Sequence, residues 1–271
     1  MASAEQQAER AAEEFRQAHH LGVQPLGDLV ALIEQTTGHD VAVLDASADS
    51  HGLTMRDPMR DRTFIGVART PHPMRQRSTL AHELAHVVFG DWAENLAKRS
   101  PEEIRADAFA RHLLIPRAGL AAFLESGARG DESTLSDVVQ RFLVSPAIAA
   151  IAMRDAGLID SDTCESWRAL TTPHLATRFG WTDHYTTLQA DSDRLRAPQG
   201  LVARAISGYA AGVISAQVIA TLRGVSVETV AEELSAAGIE PRRPDPADHE
   251  LDELPDITLD LNDLDDSEPS T

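Results

Sequence analysis

The sequence has one cysteine, no apolar run long enough to span a bilayer, and neither lysine nor arginine from Pro244 to Thr271. Cys164 alone can form neither an internal disulfide nor a thiolate metal cluster, so any metal must be held by histidines and carboxylates. No stretch reaches the ~18 apolar residues that a spanning helix needs. The N-terminal MASAEQQAERAAEEF lacks both the basic and the apolar region of a signal peptide. These absences predict a cytoplasmic chain with no membrane partner. What is present is ordinary globular composition, 42% apolar and 25% charged, which excludes wholesale disorder and allows a buried core. A length of 271 residues suggests about two domains.

Positive charge is scarce throughout, with 24 Lys and Arg against 43 Asp and Glu and a net charge of −19. Eleven of the acids lie from Asp245 to Glu268, so the rest of the chain keeps a charge of −8. Like charges, proline and little apolar bulk predict a disordered acidic tail over 244–271, either a solubility arm or an arm that docks a basic partner. The acidic body opposes the phosphate-neutralising surface of a nucleic-acid binder, which demotes DNA as a partner.

Along the chain, an Ala- and Glu-rich helix is predicted over 3–19 and a second amphipathic helix over 25–37. The segments 39–46, 51–57 and 62–69 are short, β-branched or alternating, and predict a small antiparallel sheet with a turn at Asp57–Asp61. From Arg75 onward helices dominate, expected at 77–89, 101–114, 117–126, 134–143, 146–156 and 161–170 and in several segments from 200 to 237. The fold class is therefore α+β, a small sheet packed with helices followed by a mainly helical half. Two segments repeat at an offset of 81 residues, Val144-Ser145 with Ala156-Gly157-Leu158 and Val225-Ser226 with Ala237-Gly238-Ile239. Each has the outline of a helix-turn-helix, but the second helices offer Arg154 alone or three glutamates and no base, which suits packing or protein docking better than base readout.

The segment His82-Glu83-Leu84-Ala85-His86 carries the chemistry. Histidines at i and i+4 project from one face of a helix and can bind one metal ion, with Glu83 beside them to take a proton from water. Chance gives such a motif an expectation on the order of 0.03 in this composition. Zinc needs three protein ligands and an open position. The following helix, with Ser100 at its N-cap and Pro101 next, offers Glu103 as a third ligand and Asp107, one turn on, to hold the free nitrogen of a ligating histidine. Ser100 and Glu103 also spell a capping box, and Glu102 is an alternative ligand. Arg75, Arg77, His112, His174, His184 and Tyr185 all have the chemistry to stabilise an oxyanion, and spacing does not choose among them.

His82-Glu83-Leu84-Ala85-His86, followed by Glu103-Ile104-Arg105-Ala106-Asp107-Ala108-Phe109-Ala110 and Leu113-Leu114-Ile115-Pro116, resembles the ImmA/IrrE family of metallopeptidases. The likeness covers roughly residues 25–160, with Ala85 where that family commonly has glycine. It implies a gluzincin-like, zinc-dependent intracellular endopeptidase with His82, His86 and Glu103 on zinc and Glu83 as general base. It also implies a specific protein substrate, a DNA-binding repressor or antitoxin whose cleavage releases transcription in a stress response. The expected organisation is a zincin-like metallopeptidase domain over 1–160, a helical domain with a helix-turn-helix-like hairpin over 161–243, and the tail. The segment 62–69 is then placed like an edge strand that holds an extended substrate. The alternative is a non-catalytic regulatory protein that binds a protein or DNA through its helical hairpins.

Overall fold

Ser3 starts the first helix, α1 (Ala4–Ala18): its hydroxyl accepts from the Gln6 amide while the Gln6 side chain accepts from the Ser3 amide, a reciprocal cap that needs no tertiary help. The computed structural model describes residues 3–46, 52–59, 61–92, 100–124 and 130–242. The expected tail over 244–271 lies outside them. After α1 come α2 (Leu29–Thr37), β1 (Asp40–Leu44), β2 (Leu53–Asp57), β3 (Arg62–Ala68), α3 (Pro73–Phe89) and α4 (Pro101–Leu114). Helices α5 (Arg117–Leu124), α6 (Glu132–Phe142), α7 (Pro146–Asp155), α8 (Ser161–Arg168), α9 (Thr172–Arg178) and α10 (Thr182–Ser192) follow. The described chain closes with α11 (Gln199–Ala210), α12 (Ala216–Arg223) and α13 (Val227–Ala236). The fold is α+β as expected.

The sheet differs from the expected antiparallel one. Its order is β1-β3-β2, with β2 antiparallel to β3 but β1 parallel to it. The reason lies in burial. Strand β3 buries Thr63, Ile65, Gly66 and Val67 and takes the centre, whereas β2 (LTMRD) is largely exposed and takes an edge. The short turn makes β2 and β3 a hairpin, and inserting β3 between β1 and β2 leaves β1 running the same way as β3. The expectation that 62–69 forms an edge is thereby corrected: among the described residues β3 is central and β1 and β2 flank it, with β1 also bridged at Val43 to Arg196.

Helix α3 begins at Pro73, four residues before the expected start, because proline in the first turn gives up an amide that has no intrahelical partner there. Helix α4 spans the predicted 101–114. Helices α6 and α7 meet at 110°, with Leu143 in the left-handed region (φ 54°) and Ser145 capping α7 through the Ile148 amide. That is the angle of a helix-turn-helix hairpin. Among the described residues no single helix is long and apolar enough to cross a membrane.

One large core joins the sheet to α1–α10. It includes Ile65, Leu80, Leu84, Phe109, Leu113, Phe142 and Met153, and it also takes Cys164, Trp167, Leu175 and Tyr185 from the segment sequence reading had placed with the helical half. Helices α11–α13 form a second, small core of Ala205, Ile219, Ala220, Val230 and Leu234.

Arg16 ties the first core together. It is 3% exposed, and its guanidinium donates to the carbonyls of Gly22 at 2.8 Å, Leu113 at 2.5 Å and Gln24. Burial pulls its pKa down to about 10, so it stays charged at neutral pH. Arg16→Met keeps the apolar stem but strands three carbonyls, and urea denaturation should show a loss of about 3 kcal/mol with an unchanged m-value. A loss under about 0.5 kcal/mol would contradict this account.

Candidate metal centre

Helix α3 carries its apolar residues Leu80, Ala81, Leu84 and Ala85 into the core, each at most 1% exposed. The histidines fall on the adjoining face, toward α4. His82 and His86, one turn apart, place their Nε2 atoms 3.0 Å from each other. Glu103, in the first turn of α4, sets one carboxylate oxygen 3.4 Å from His82 Nε2 and the other 3.5 Å from His86 Nε2. These three groups are the described set of donors close enough together to hold one metal ion.

The donor chemistry fits a metal. Bonds of ~2.0–2.1 Å in a tetrahedron separate ligand atoms by ~3.3 Å, which the three observed separations bracket. Two imidazole nitrogens and a carboxylate also suit a borderline ion such as zinc better than the oxygen-seeking magnesium or calcium.

The surrounding residues orient these donors. Asp107, on α4, lies 2.8 Å from His82 Nδ1, which fixes the proton there and leaves Nε2 as the lone-pair nitrogen. Burial pulls the His82 pKa down, but the Asp107 hydrogen bond and the charges of Asp107, Glu103 and Glu83 outweigh it and hold the net value above the ordinary 6.5. His86 Nδ1 is buried without a hydrogen bond, 3.8 Å from the Asp91 carboxylate. Asp91 is engaged elsewhere: both of its oxygens accept from Arg105 at 2.9 Å, and the Arg105 guanidinium lies 4.1 Å from the centre of the Phe89 ring. Glu83 is 7% exposed and sits under β2, where the Thr54 hydroxyl donates to its Oε2 at 2.7 Å. Gly52 lies so close that a Cβ there would stand 2.3 Å from Glu83 Cγ.

The structure thus brings His82, Glu83, His86, Glu103 and Asp107 to one place. The capping question divides between neighbours. Ser100 accepts from the Glu103 amide, yet the Glu103 carboxylate faces the histidines. Glu102 takes the helix start, where its own amide and the Ser100 hydroxyl lower its pKa. The six candidate oxyanion donors are placed otherwise. Arg77 donates to the carbonyls of Leu143, Gly27 and Leu26, His112 pairs with Glu5, and Tyr185 is buried against Trp181. His174 and His184 are exposed on α9 and α10, and Arg75 is exposed two turns before His82. Sequence reading missed Gly52, Thr54, Asp91 and Arg105. Of these, only Asp91 carried a signal, as an acid just past the Gly90 that ends the histidine helix.

This assembly coincides with a family match. The model of Peptidase_M78, described as the IrrE N-terminal-like domain, matches residues 36–154. Over those residues the chain is similar to the Peptidase_M78 family. The match takes in the whole sheet, α3 with its histidines and α4 with Glu103 and Asp107, and ends within α7. A comparison with curated proteins found no match. The match supports a peptidase-type function, and His82, His86 and Glu103 within it are placed so that they could hold a metal ion.

Asp107→Asn tests the outer contact. It removes the charge that orients the His82 ring, so affinity for added zinc should fall about 10- to 100-fold in a chelator competition. Because the His82 proton is held above the ordinary value, affinity in the parent protein should weaken on acidification beginning above pH ~6.5. An affinity equal to the parent's would remove Asp107 from the site.

Proposed function

We propose that this chain is a zinc-dependent endopeptidase that cuts one protein substrate, a DNA-binding repressor or antitoxin, in the cytoplasm, and so releases transcription under stress. The observation that carries the reading is the convergence of His82 Nε2, His86 Nε2 and the Glu103 carboxylate beside the buried Glu83 of an M78 peptidase domain. His82, His86 and Glu103 would hold zinc. When bound, zinc supplies a Lewis acid for water and for the scissile carbonyl.

The chain's own residues do the rest. Asp107 accepts from His82 Nδ1 and so keeps Nε2 aimed at the other donors. The Glu83 carboxylate is held by the Thr54 hydroxyl on one oxygen, which leaves the other to accept the proton of the attacking water and deliver it to the departing amine. Strand β2 runs over Glu83 as an edge of the sheet among the described residues, and an extended substrate would pair alongside it by main-chain hydrogen bonds, its carbonyl presented to the site.

The helical hairpins fit protein docking better than DNA. Helix α13 carries Glu228, Glu232 and Glu233, with Arg223 of α12 paired to Glu233, and Arg154 of α7 is paired to Asp155. A duplex would meet acids.

Purified protein should contain about one zinc per chain. Glu83→Gln should keep that zinc and the fold yet cut candidate DNA-binding repressors at least ~100-fold more slowly, because an amide cannot take the proton. Cleavage at the parent rate would place the base elsewhere. Metal titration should find Glu103→Ala weaker than Glu102→Ala, and the reverse order would exchange the two neighbours.

A further inference from the structure

The two histidines of the site are not equally supported. His82 Nδ1 meets Asp107 at 2.8 Å, whereas His86 Nδ1 is buried without a hydrogen bond. A neutral imidazole that binds a metal through Nε2 keeps its one proton on Nδ1, and that proton needs an acceptor to fix the ring. The His86 side chain is 8% exposed, which leaves little access for water.

The nearest carboxylate comes from the residue just past the end of α3. Asp91 Oδ2 stands 3.8 Å from His86 Nδ1, on a side chain 14% exposed. Gly90 ends α3 in the left-handed region (φ 70°), and the turn brings the Asp91 amide back to the His86 carbonyl at 2.9 Å. Asp91 is thereby returned to the last turn of the histidine helix. Arg105 fixes its side chain from α4. One arginine nitrogen, Nη2, lies 2.9 Å from each Asp91 oxygen, and the guanidinium is kept over the Phe89 ring. That shared contact uses one lone pair of each oxygen and leaves the others open. Arg105 Nε is also buried without a partner, so two incompletely paired buried groups meet at one carboxylate.

We propose that Asp91 is the positioning residue of His86: when Nε2 holds the metal, Nδ1–H donates to Asp91 Oδ2. A gap of 3.8 Å is too long for the bond, and a shift of about 1 Å by ring or carboxylate closes it with the Arg105 contact kept. Helix α4 then sets all three donors in one frame. It supplies Glu103 itself, orients His82 through Asp107, and orients His86 through Arg105 and Asp91. A charged acceptor holds the imidazole more firmly than a neutral one and answers the buried arginine as well. The assignment rests on the zinc reading above and on no step of cleavage.

Zinc titration and proton NMR on the full chain test it. In zinc-loaded parent protein the His86 Nδ1 proton should exchange with water at least ~10-fold more slowly than an exposed imidazole N–H. In Asp91→Asn, zinc affinity measured by chelator competition should fall about 10-fold, and the His86 Nδ1 proton should move upfield and exchange faster, while the His82 Nδ1 proton is unchanged. Arg105→Gln leaves the Asp91 carboxylate in place and should cost less zinc affinity than Asp91→Asn. Equal losses in the two variants with an unmoved His86 proton would make Asp91 a counter-ion of Arg105 alone and overturn the proposal. So would parent affinity in Asp91→Asn. A His86 proton in the zinc-loaded parent that exchanges like an exposed one overturns it whether or not either variant folds. A parent that takes up no zinc would remove the metal centre itself, and the assignment with it.

Discussion

The approach of α3 to α4 is the constraint on which the rest of this site depends. His82 meets Asp107 while His86 meets Glu103, the order expected of helices that run antiparallel. Phe89 packs edge-on against Phe109 with ring centres 5.9 Å apart, and Arg105 bridges back to Asp91. Polar and apolar contacts therefore alternate along one seam. The apolar ones supply the burial, and the polar ones set the register, because a slip of one helical turn would carry Glu103 about 5.4 Å from the histidines. From the far side α1 holds α4 in place, with Phe15 against Phe109 and Glu5 accepting from Arg111.

The same seam gathers charge that would be unfavourable alone. Glu83, Glu103, Asp91 and Asp107 stand around two imidazoles, and among the described residues Arg105 is the arginine in contact with this group, spent on Asp91. Carboxylates in such number repel one another unless a cation offsets them, and the His82 proton is held above its ordinary pKa for that reason. A divalent ion between the three converging donors would answer the same field without the proton. The pull on the histidine proton and the pull on such an ion would thus have one electrostatic origin.

Much of this was legible in the sequence because it is local. An i, i+4 histidine pair, an N-cap serine with proline after it, and a second i, i+4 pair at Glu103 and Asp107 each depend on helical spacing alone, and α4 falls where its caps put it. The sheet was less legible. Its strands could be read from alternation, but their order depends on which strand is buried on both faces, and Phe64-Ile65-Gly66-Val67 settles the centre only when weighed against the exposed β2. Gly52 and Thr54 were invisible for a different reason. Their roles come from lying across Glu83, which for Thr54 is a contact over 29 residues of chain that no local pattern encodes.

The two helical hairpins show how far a shared outline can diverge. In α6–α7 the side chains of Leu135, Val138, Val139, Phe142, Ala149, Ala150 and Met153 sit in the large core, so the hairpin is part of the frame that backs the site. In α12–α13 the same turn encloses a core of five buried residues, and Gly224 at its corner has φ +64° with Leu195 within 2.9 Å of where a Cβ would stand. A side chain there would be strained twice, by backbone and by contact. The corner thereby docks the small unit onto the segment that follows α10. That segment continues to Arg196, whose main chain bridges Val43 and whose guanidinium pairs with Asp28 at the start of α2. The tie closes the β1 edge of the sheet. With one edge held this way, β2 forms the other edge of the sheet among the described residues, and it is the strand that lies over Glu83.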